Sequence, residues 1–214
     1  EAAARLAEAR RALLPLRPGY VSVTFGAGGS TRDLTLDTVA TLQRQDGVPA
    51  APHISCVGAT AVSLGELLDA YRALGIRRLV ALRGDMPSGM AAFGDFRYAN
   101  ELVEFIRAET GDWFHIEVGG YPETHPQADD AFVDLANLKR KFDAGANGVI
   151  TQYFFNADAY FRFRDDARRL GITQPIVPGI MPIGNFSQLK RFSDLCGAEI
   201  PRWISKRMLA YGDD

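Results

Sequence analysis

The sequence predicts an α/β protein of the (β/α)8 TIM-barrel class, incomplete here, with the first strand and the last βα unit missing and about six parallel strands present. Three observations predict it. Short apolar, β-branched runs recur at intervals of about 31 residues, each is followed by a stretch of helical periodicity, and no tight hairpin turn joins two of them.

Strand candidates begin at Tyr20, Ala50, Arg78, Phe114, Gly148 and Pro175. Helical stretches lie near 1–14, 32–46, 63–75, 95–109, 128–144, 157–170, 185–196 and 200–210. Ser30 and Ser63 are expected N-caps, and Gly47, Gly75, Gly145 and Gly171 expected stops. The strand runs are almost uninterruptedly apolar, as burial on both faces of a parallel sheet requires. Eight such units would need roughly 250 residues, more than the 214 present. No linker, charge block or low-complexity tract divides the sequence, so a single domain over 1–214, part of a longer chain, is expected.

Composition narrows the function. The sequence is 47% apolar and 23% charged, and 24 basic against 26 acidic residues leave a net charge of −2. Nucleic acid is therefore an unfavoured partner. No apolar run reaches the roughly 18 residues of a membrane span, and the opening EAAARLAEARR is a charged amphipathic stretch. A cytoplasmic protein with no membrane partner is expected. Cys56 and Cys196 occur in unrelated contexts and are expected as buried thiols. His53 and Cys56 superficially resemble a metal pair, but His115 and His125 come without carboxylates at ligand spacing, so no metal site is expected.

Chemistry in parallel α/β folds gathers at the carboxyl ends of the strands. Following the predicted strands in turn are Thr24 with the stretch Phe25-Gly26-Ala27-Gly28-Gly29-Ser30-Thr31, then His53, Arg83-Gly84-Asp85, Tyr121 to His125, Thr151-Gln152 and Pro178 to Pro182. The glycine-rich stretch is neither a dinucleotide fingerprint nor a P-loop; it is a flexible turn or a place of close backbone approach to a flat ligand. Arg83 and Asp85 could form a local ion pair, or Asp85 could lie beside a cofactor ring and lower its electron affinity. Asp134, Asn137 and Lys141 share one helical face, either a solvated stripe or a clamp for ribose and phosphate. Gln152 offers a neutral amide at a buried strand end, and Phe154-Phe155 offer apolar surface.

The blocks VSVTFGAGGSTRDLT, APHISC, IRRLVALRGDMP, YPETHP, DLANLKRKFDAGANGVITQYFF and PGIMPIGNFSQLKRF, in this order, resemble the bacterial-type methylenetetrahydrofolate reductase family from about Arg17 to Trp203. The resemblance implies an FAD-containing (β/α)8 barrel that reduces 5,10-methylenetetrahydrofolate to 5-methyltetrahydrofolate with NAD(P)H in a ping-pong hydride relay. It implies that Thr24, Phe25, Gly26, Ala27, His53, Arg83, Gly84 and Asp85 flank the flavin. It places Tyr98, Tyr121, His125, Ala128, Asp134, Asn137, Arg140 and Lys141 along the rest of FAD. Gln152, Gln188 and Phe192 resemble substrate contacts, and Asp85 would serve both flavin and folate. The family's general acid is a glutamate in a Glu-Phe-Phe-Pro-Pro segment that this sequence does not contain, so an enzyme is implied while the activity of the chain as given is left open. A homo-oligomer is implied, with NADH or NADPH left open. The alternatives are a non-catalytic flavin- or folate-binding barrel and a pterin methyltransferase-type barrel without flavin.

Overall fold

The computed structural model describes residues 2–24, 32–85 and 94–212, so the expectations for Phe25, Gly26, Ala27 and Ser30 lie outside the described residues. The chain forms two units, Glu1–Ile116 and Glu117–Asp214.

The first unit carries α1 (Ala2–Leu13), β1 (Val21–Val23), α2 (Arg32–Thr41), β2 (Ala50–Ser55), α3 (Ala61–Ala73), β3 (Arg78–Leu82) and α4 (Ala99–Thr110). β4 (His115–Gly120) begins at its end and continues into the second unit. There follow α5 (Ala131–Asp143), β5 (Gly148–Tyr153), α6 (Ala157–Arg169), β6 (Ile176–Gly179), α7 (Phe186–Cys196) and α8 (Arg202–Tyr211). β1 pairs with β2 and β2 with β3, and separately β4 pairs with β5 and β5 with β6, all in parallel. The α/β class and the expected strand starts are borne out, each strand beginning within one residue of its expected position.

Helix boundaries follow from caps. Gly47, Gly75, Gly145 and Gly171 adopt positive φ behind helical segments, as a left-handed stop requires. α2 continues into a π-helical turn over Leu42–Asp46 before Gly47 closes it. Ser63 is not the N-cap of α3. Thr60 is, accepting the Ser63 N–H on its hydroxyl at 3.1 Å, while Ser63 sits one turn in and accepts the Thr60 N–H in return. This reciprocal pair satisfies two amides that the first turn would otherwise leave without partners. α4 starts at Ala99, not near 95, because Asp95 is used elsewhere: its Oδ2 accepts the Ala61 N–H at 2.8 Å.

Each unit buries its own apolar stripe. In the first, Leu64, Leu67, Leu68 and Tyr71 of α3 and Leu102, Val103 and Ile106 of α4 recur at helical spacing and are buried, and the two helices pack together. In the second, Leu135, Leu138 and Phe142 of α5 and Ala159, Phe163 and Ala167 of α6 do the same. Trp113 ties the loop after α4 to the entry of β3: its Nε1 donates to the Ile76 carbonyl at 2.9 Å, and the Arg77 guanidinium lies 3.3 Å from its ring centroid.

The carboxyl ends of β5 and β6 approach closely. A Cβ added at Gly179 would lie 2.1 Å from the Thr151 carbonyl oxygen, which is backbone and cannot swing aside. Gly179→Ala should therefore force β6 away from β5 and cost about 2–3 kcal/mol, read as a lowered urea midpoint at unchanged slope.

Candidate functional site

In the first unit the register aligns the expected residues. Val23 lies opposite Pro52, so Thr24 and His53 follow a paired step on neighbouring strands. Thr24 is exposed, with its carbonyl accepting from the buried Thr35 hydroxyl at 3.3 Å. His53 is half-buried, and burial lowers its pKa from the usual histidine value, which favours the neutral imidazole. Ser55 lies opposite Leu82, and beyond that pair Gly84 turns with φ +79°, a conformation that favours glycine. A Cβ there would come within 3.0 Å of both Ser55 Cβ and Val57 Cγ2. Arg83 is half-buried and Asp85 exposed.

Cys56 is buried as expected, and its pKa is pushed up to about 12 by burial first and by Glu101 second, against the opposing charge of Arg83. It is an unreactive thiol at neutral pH. Among the described residues no group of three His, Cys, Asp or Glu side chains could hold a metal ion. Tyr98 precedes α4 with a half-exposed ring, and Glu101 Oε2 accepts its N–H at 3.1 Å.

In the second unit the loop after β4 gathers Tyr121, His125 and Asp134. The Tyr121 and His125 rings meet edge to face at 4.4 Å. Asp134 Oδ2 accepts the His125 N–H at 2.9 Å, and His125 Nδ1 accepts the Gln127 N–H at 3.0 Å. Ala128 closes this turn onto the His125 carbonyl at 2.9 Å. In the last turn of α5, Lys141 donates from Nζ to the Gly119 carbonyl at 2.9 Å, and Arg140 bonds Asn137 Oδ1. The two cations also face the negative end of the helix dipole.

A cavity of about 410 Å³ opens within this unit, walled by Tyr121, Glu123, Asp134, Asn156, Arg162 and Glu199 among others. Four carboxylates, Glu123, Asp134, Asp166 and Glu199, against the one guanidinium of Arg162 make this wall a poor seat for a phosphate and a suitable one for hydroxyls or ring nitrogens. Glu123 Oε2 accepts the Glu199 N–H at 2.8 Å, while its Oε1 is buried with no hydrogen-bond partner. Burial, with the Glu199 charge adding to it, raises the Glu123 pKa above the usual carboxylate value.

At the end of β5, Gln152 is half-buried and its Oε1 accepts the Tyr153 N–H at 3.0 Å. Phe154 stacks on Tyr160 at 5.1 Å, a packing role. On α7, Gln188 is exposed and its N–H is capped by Asn185 at 2.8 Å. Phe192 is half-exposed and lies flat against Tyr153, with centroids 6.0 Å apart and planes 15° apart. The Tyr153 hydroxyl pairs with Ser193 Oγ at 2.8 Å and accepts from Cys196 Sγ at 3.3 Å. Cys196 is half-buried and polar-bonded, not the wholly buried apolar thiol expected from sequence.

A family model described as methylenetetrahydrofolate reductase matches residues 1–214. The chain belongs to the methylenetetrahydrofolate reductase family. It is similar to the 5,10-methylenetetrahydrofolate reductase of Escherichia coli (strain K12), 44% identical over 202 residues covering 94% of this chain and 67% of that relative. It is 42% identical over 201 residues to methylenetetrahydrofolate reductase (NADH) 1 of Zea mays, covering 88% of this chain and 34% of that one. The chain thus spans about two thirds of the bacterial reductase and about one third of the plant one. The structure of 2,3-dimethylmalate lyase, a PEP mutase/isocitrate lyase superfamily member, in its trigonal crystal form matches with a TM-score of 0.56 at 11% identity. It covers 93% of this chain and 66% of that one, a likeness of fold alone. Among the described residues no helix is long and apolar enough to cross a membrane.

Sequence alone passes over Tyr153, Ser193 and Glu199 in this family member. Tyr153 reads as one more apolar residue of a strand, and nothing local pairs it with a serine forty positions later.

His53 and Glu123 are shifted in opposite directions. The unfolded chain protonates His53 more readily than the folded one, so its contribution to stability is lost as pH falls below about 6.5. His53→Gln should therefore gain in urea midpoint relative to the unmodified protein as the pH is lowered from about 7.5 to about 5.5. Glu123 has a raised pKa, so its contribution is present below about pH 4.5 and is lost as pH rises through the folded value. Glu123→Gln keeps an acceptor for the Glu199 N–H and removes the charge. Its unfolding midpoint should exceed the parent's at pH 7, with the gap closing near about pH 4.

Proposed function

We propose that this chain forms the flavin- and folate-binding part of an enzyme that reduces 5,10-methylenetetrahydrofolate to 5-methyltetrahydrofolate with NAD(P)H, on an incomplete (β/α)8 barrel. The observation that carries the reading is membership of the reductase family over all 214 residues. The same activity is in the name of the 44%-identical bacterial relative.

The donor set fits FAD. Arg140 and Lys141 supply cations for the diphosphate from the last turn of α5, and Lys141 reaches across to Gly119 near the end of β4. Tyr121 and His125 offer aromatic surface to the adenine, Asp134 an acceptor for ribose hydroxyls, and Asn137 and Ala128 complete that stretch. The acidic cavity wall at Tyr121 and Asp134 suits the uncharged part of the nucleotide and sends the phosphates toward the cations. Thr24, Phe25, Gly26, Ala27, His53, Arg83 and Gly84 are assigned to the flavin end, where a neutral His53 donates or accepts without adding charge. Tyr98 is assigned to the same cofactor. FAD, when bound, supplies hydride acceptance from a reduced nicotinamide and hydride donation to the folate one-carbon unit.

The protein's own part is positioning. Asp85, exposed just past β3, is assigned beside the ring system, where a carboxylate lowers electron affinity and can also hold the pterin. Gln152 and Gln188 contribute neutral amides, and Phe192 a half-exposed ring, to a face that takes nicotinamide and pterin in turn, as ping-pong order requires. Fixed charges there would favour one ring over the other.

The deciding experiment uses the flavin-reconstituted full-length protein. Anaerobic addition of NADH or NADPH should bleach the flavin absorbance, and methylenetetrahydrofolate should restore it. Bleaching without restoration by folate would make the protein a non-catalytic binder. Absence of any flavin uptake would favour the pterin methyltransferase-type alternative. Within the reading, Lys141→Ala should weaken FAD binding about tenfold, the loss of one charge-assisted contact, measured by fluorescence titration of the apoprotein.

A further inference from the structure

Strand β5 ends in two successive side chains that alternation sends to opposite faces: Gln152, assigned above to substrate, and Tyr153, which is 4% exposed. Tyr153 meets helix α7 in three ways. Its ring lies flat on Phe192, its hydroxyl pairs with the 3%-exposed Ser193, and the same hydroxyl accepts from Cys196. Phe155 closes against the ring edge at 5.7 Å, and Leu189 and Ala198 complete the buried cluster.

Packing alone does not require this arrangement. A phenylalanine at 153 would fill the same space without a hydroxyl to desolvate. The hydroxyl is accommodated because two groups of one helix turn toward it, and such bonds are directional where dispersion is not. Burial and the Cys196 contact push the phenol up to about 12, so it remains protonated at working pH, pairing with the Ser193 hydroxyl while accepting from the thiol. Two bonds from successive turns of α7, three residues apart, fix the rotation of that helix about its axis. The ring face fixes the plane of Phe192.

We propose that Tyr153 is a positioning residue for substrate: it locks α7 onto the end of β5 so that Phe192 and Gln188 are held in a fixed relation to Gln152. The inference rests on the reading that these three residues contact substrate. Tyr153 itself touches no reacting atom; it acts through Phe192.

The test compares the FAD-loaded full-length protein with Tyr153→Phe, Ser193→Ala, Phe192→Leu and the Tyr153→Phe/Phe192→Leu double variant. Tyr153→Phe keeps the ring and loses the bonds, and Ser193→Ala removes one bond from the other side, so either serves if the other folds poorly. The expected result is a rise of about fivefold in KM for methylenetetrahydrofolate in each single variant, with unchanged FAD content. The double variant should be no worse than Phe192→Leu alone, because both changes act through one ring. Ile172→Val, a buried change away from α7, gives a matched loss of thermal stability with unaltered KM. If Tyr153→Phe and Ser193→Ala lower the melting temperature but keep the parental KM, or if the double variant is additive, the positioning role is wrong. If the unmodified protein turns over no folate, the functional reading fails and the inference goes with it. That outcome is distinguishable because it appears before any variant is made.

Discussion

In a parallel ladder the carboxyl ends of neighbouring strands lie side by side, and the register decides which residues meet there. Val23 opposite Pro52 brings Thr24 and His53 together, and Ser55 opposite Leu82 delivers Gly84 onto Ser55. Gly120 opposite Thr151 sets Tyr121 beside Gln152. A slip of one residue in any of these pairs would turn the functional side chain of that strand to the other face and send a buried apolar one outward. Between Ile150 and Tyr153 the pairing with β6 does shift, and there Thr151 Oγ1 accepts the Gly179 N–H in place of a ladder carbonyl. Such an irregularity re-aims the side chains beyond it. Gln152 and Tyr153 are the side chains at that point.

The alternation of strand and helix was legible because β2, β3, β4 and β5 are largely buried and leave mostly apolar runs, and a glycine or proline stands at or within four residues before every strand. Ala50, Arg78 and Gly148 are strand starts by pattern and by structure. Boundaries that depend on side chains reaching across sequence were not legible. Asp95 looks like the opening of α4, but its carboxylate caps α3, and Glu101 takes the Arg97 and Tyr98 amides, so α4 begins later. Thr60 displaced Ser63 as a cap for a similar reason. Both residues suit the role, and the reciprocal bonds between them decide which one stands outside the helix.

The candidate site divides the same way. Residues whose role follows from a strand end, such as Thr24, His53 and Gln152, could be picked out singly, and the spacing of Asp134, Asn137 and Lys141 shows a shared helix face. What spacing could not show is the division of labour along that face. Asp134 turns back to hold His125, Asn137 pairs with Arg140, and Lys141 reaches the Gly119 carbonyl. These bonds hold the side chains in place before any ligand arrives, which lowers the ordering cost of binding. Tyr153 with Ser193, and Glu123 with Glu199, join residues 40 and 76 positions apart and leave no local signature.

Charge is distributed to match. In the second unit Arg140 and Lys141 stand at the end of α5, four carboxylates line the cavity beside Arg162, and Gln152, Gln188 and Phe192, assigned above to substrate, are themselves uncharged. A face that holds two different planar rings in succession gains from neutrality, since a fixed charge would bind one of them too long. Neutral groups also orient weakly, so their geometry must come from behind. On the proposed reading, the buried phenol of Tyr153, bonded to Ser193 and Cys196 of α7, would supply that rigidity without adding a charge of its own. An ion pair in the same position would fix the helix as firmly, but its field would extend through the low-dielectric cluster to the ligand face and bias it.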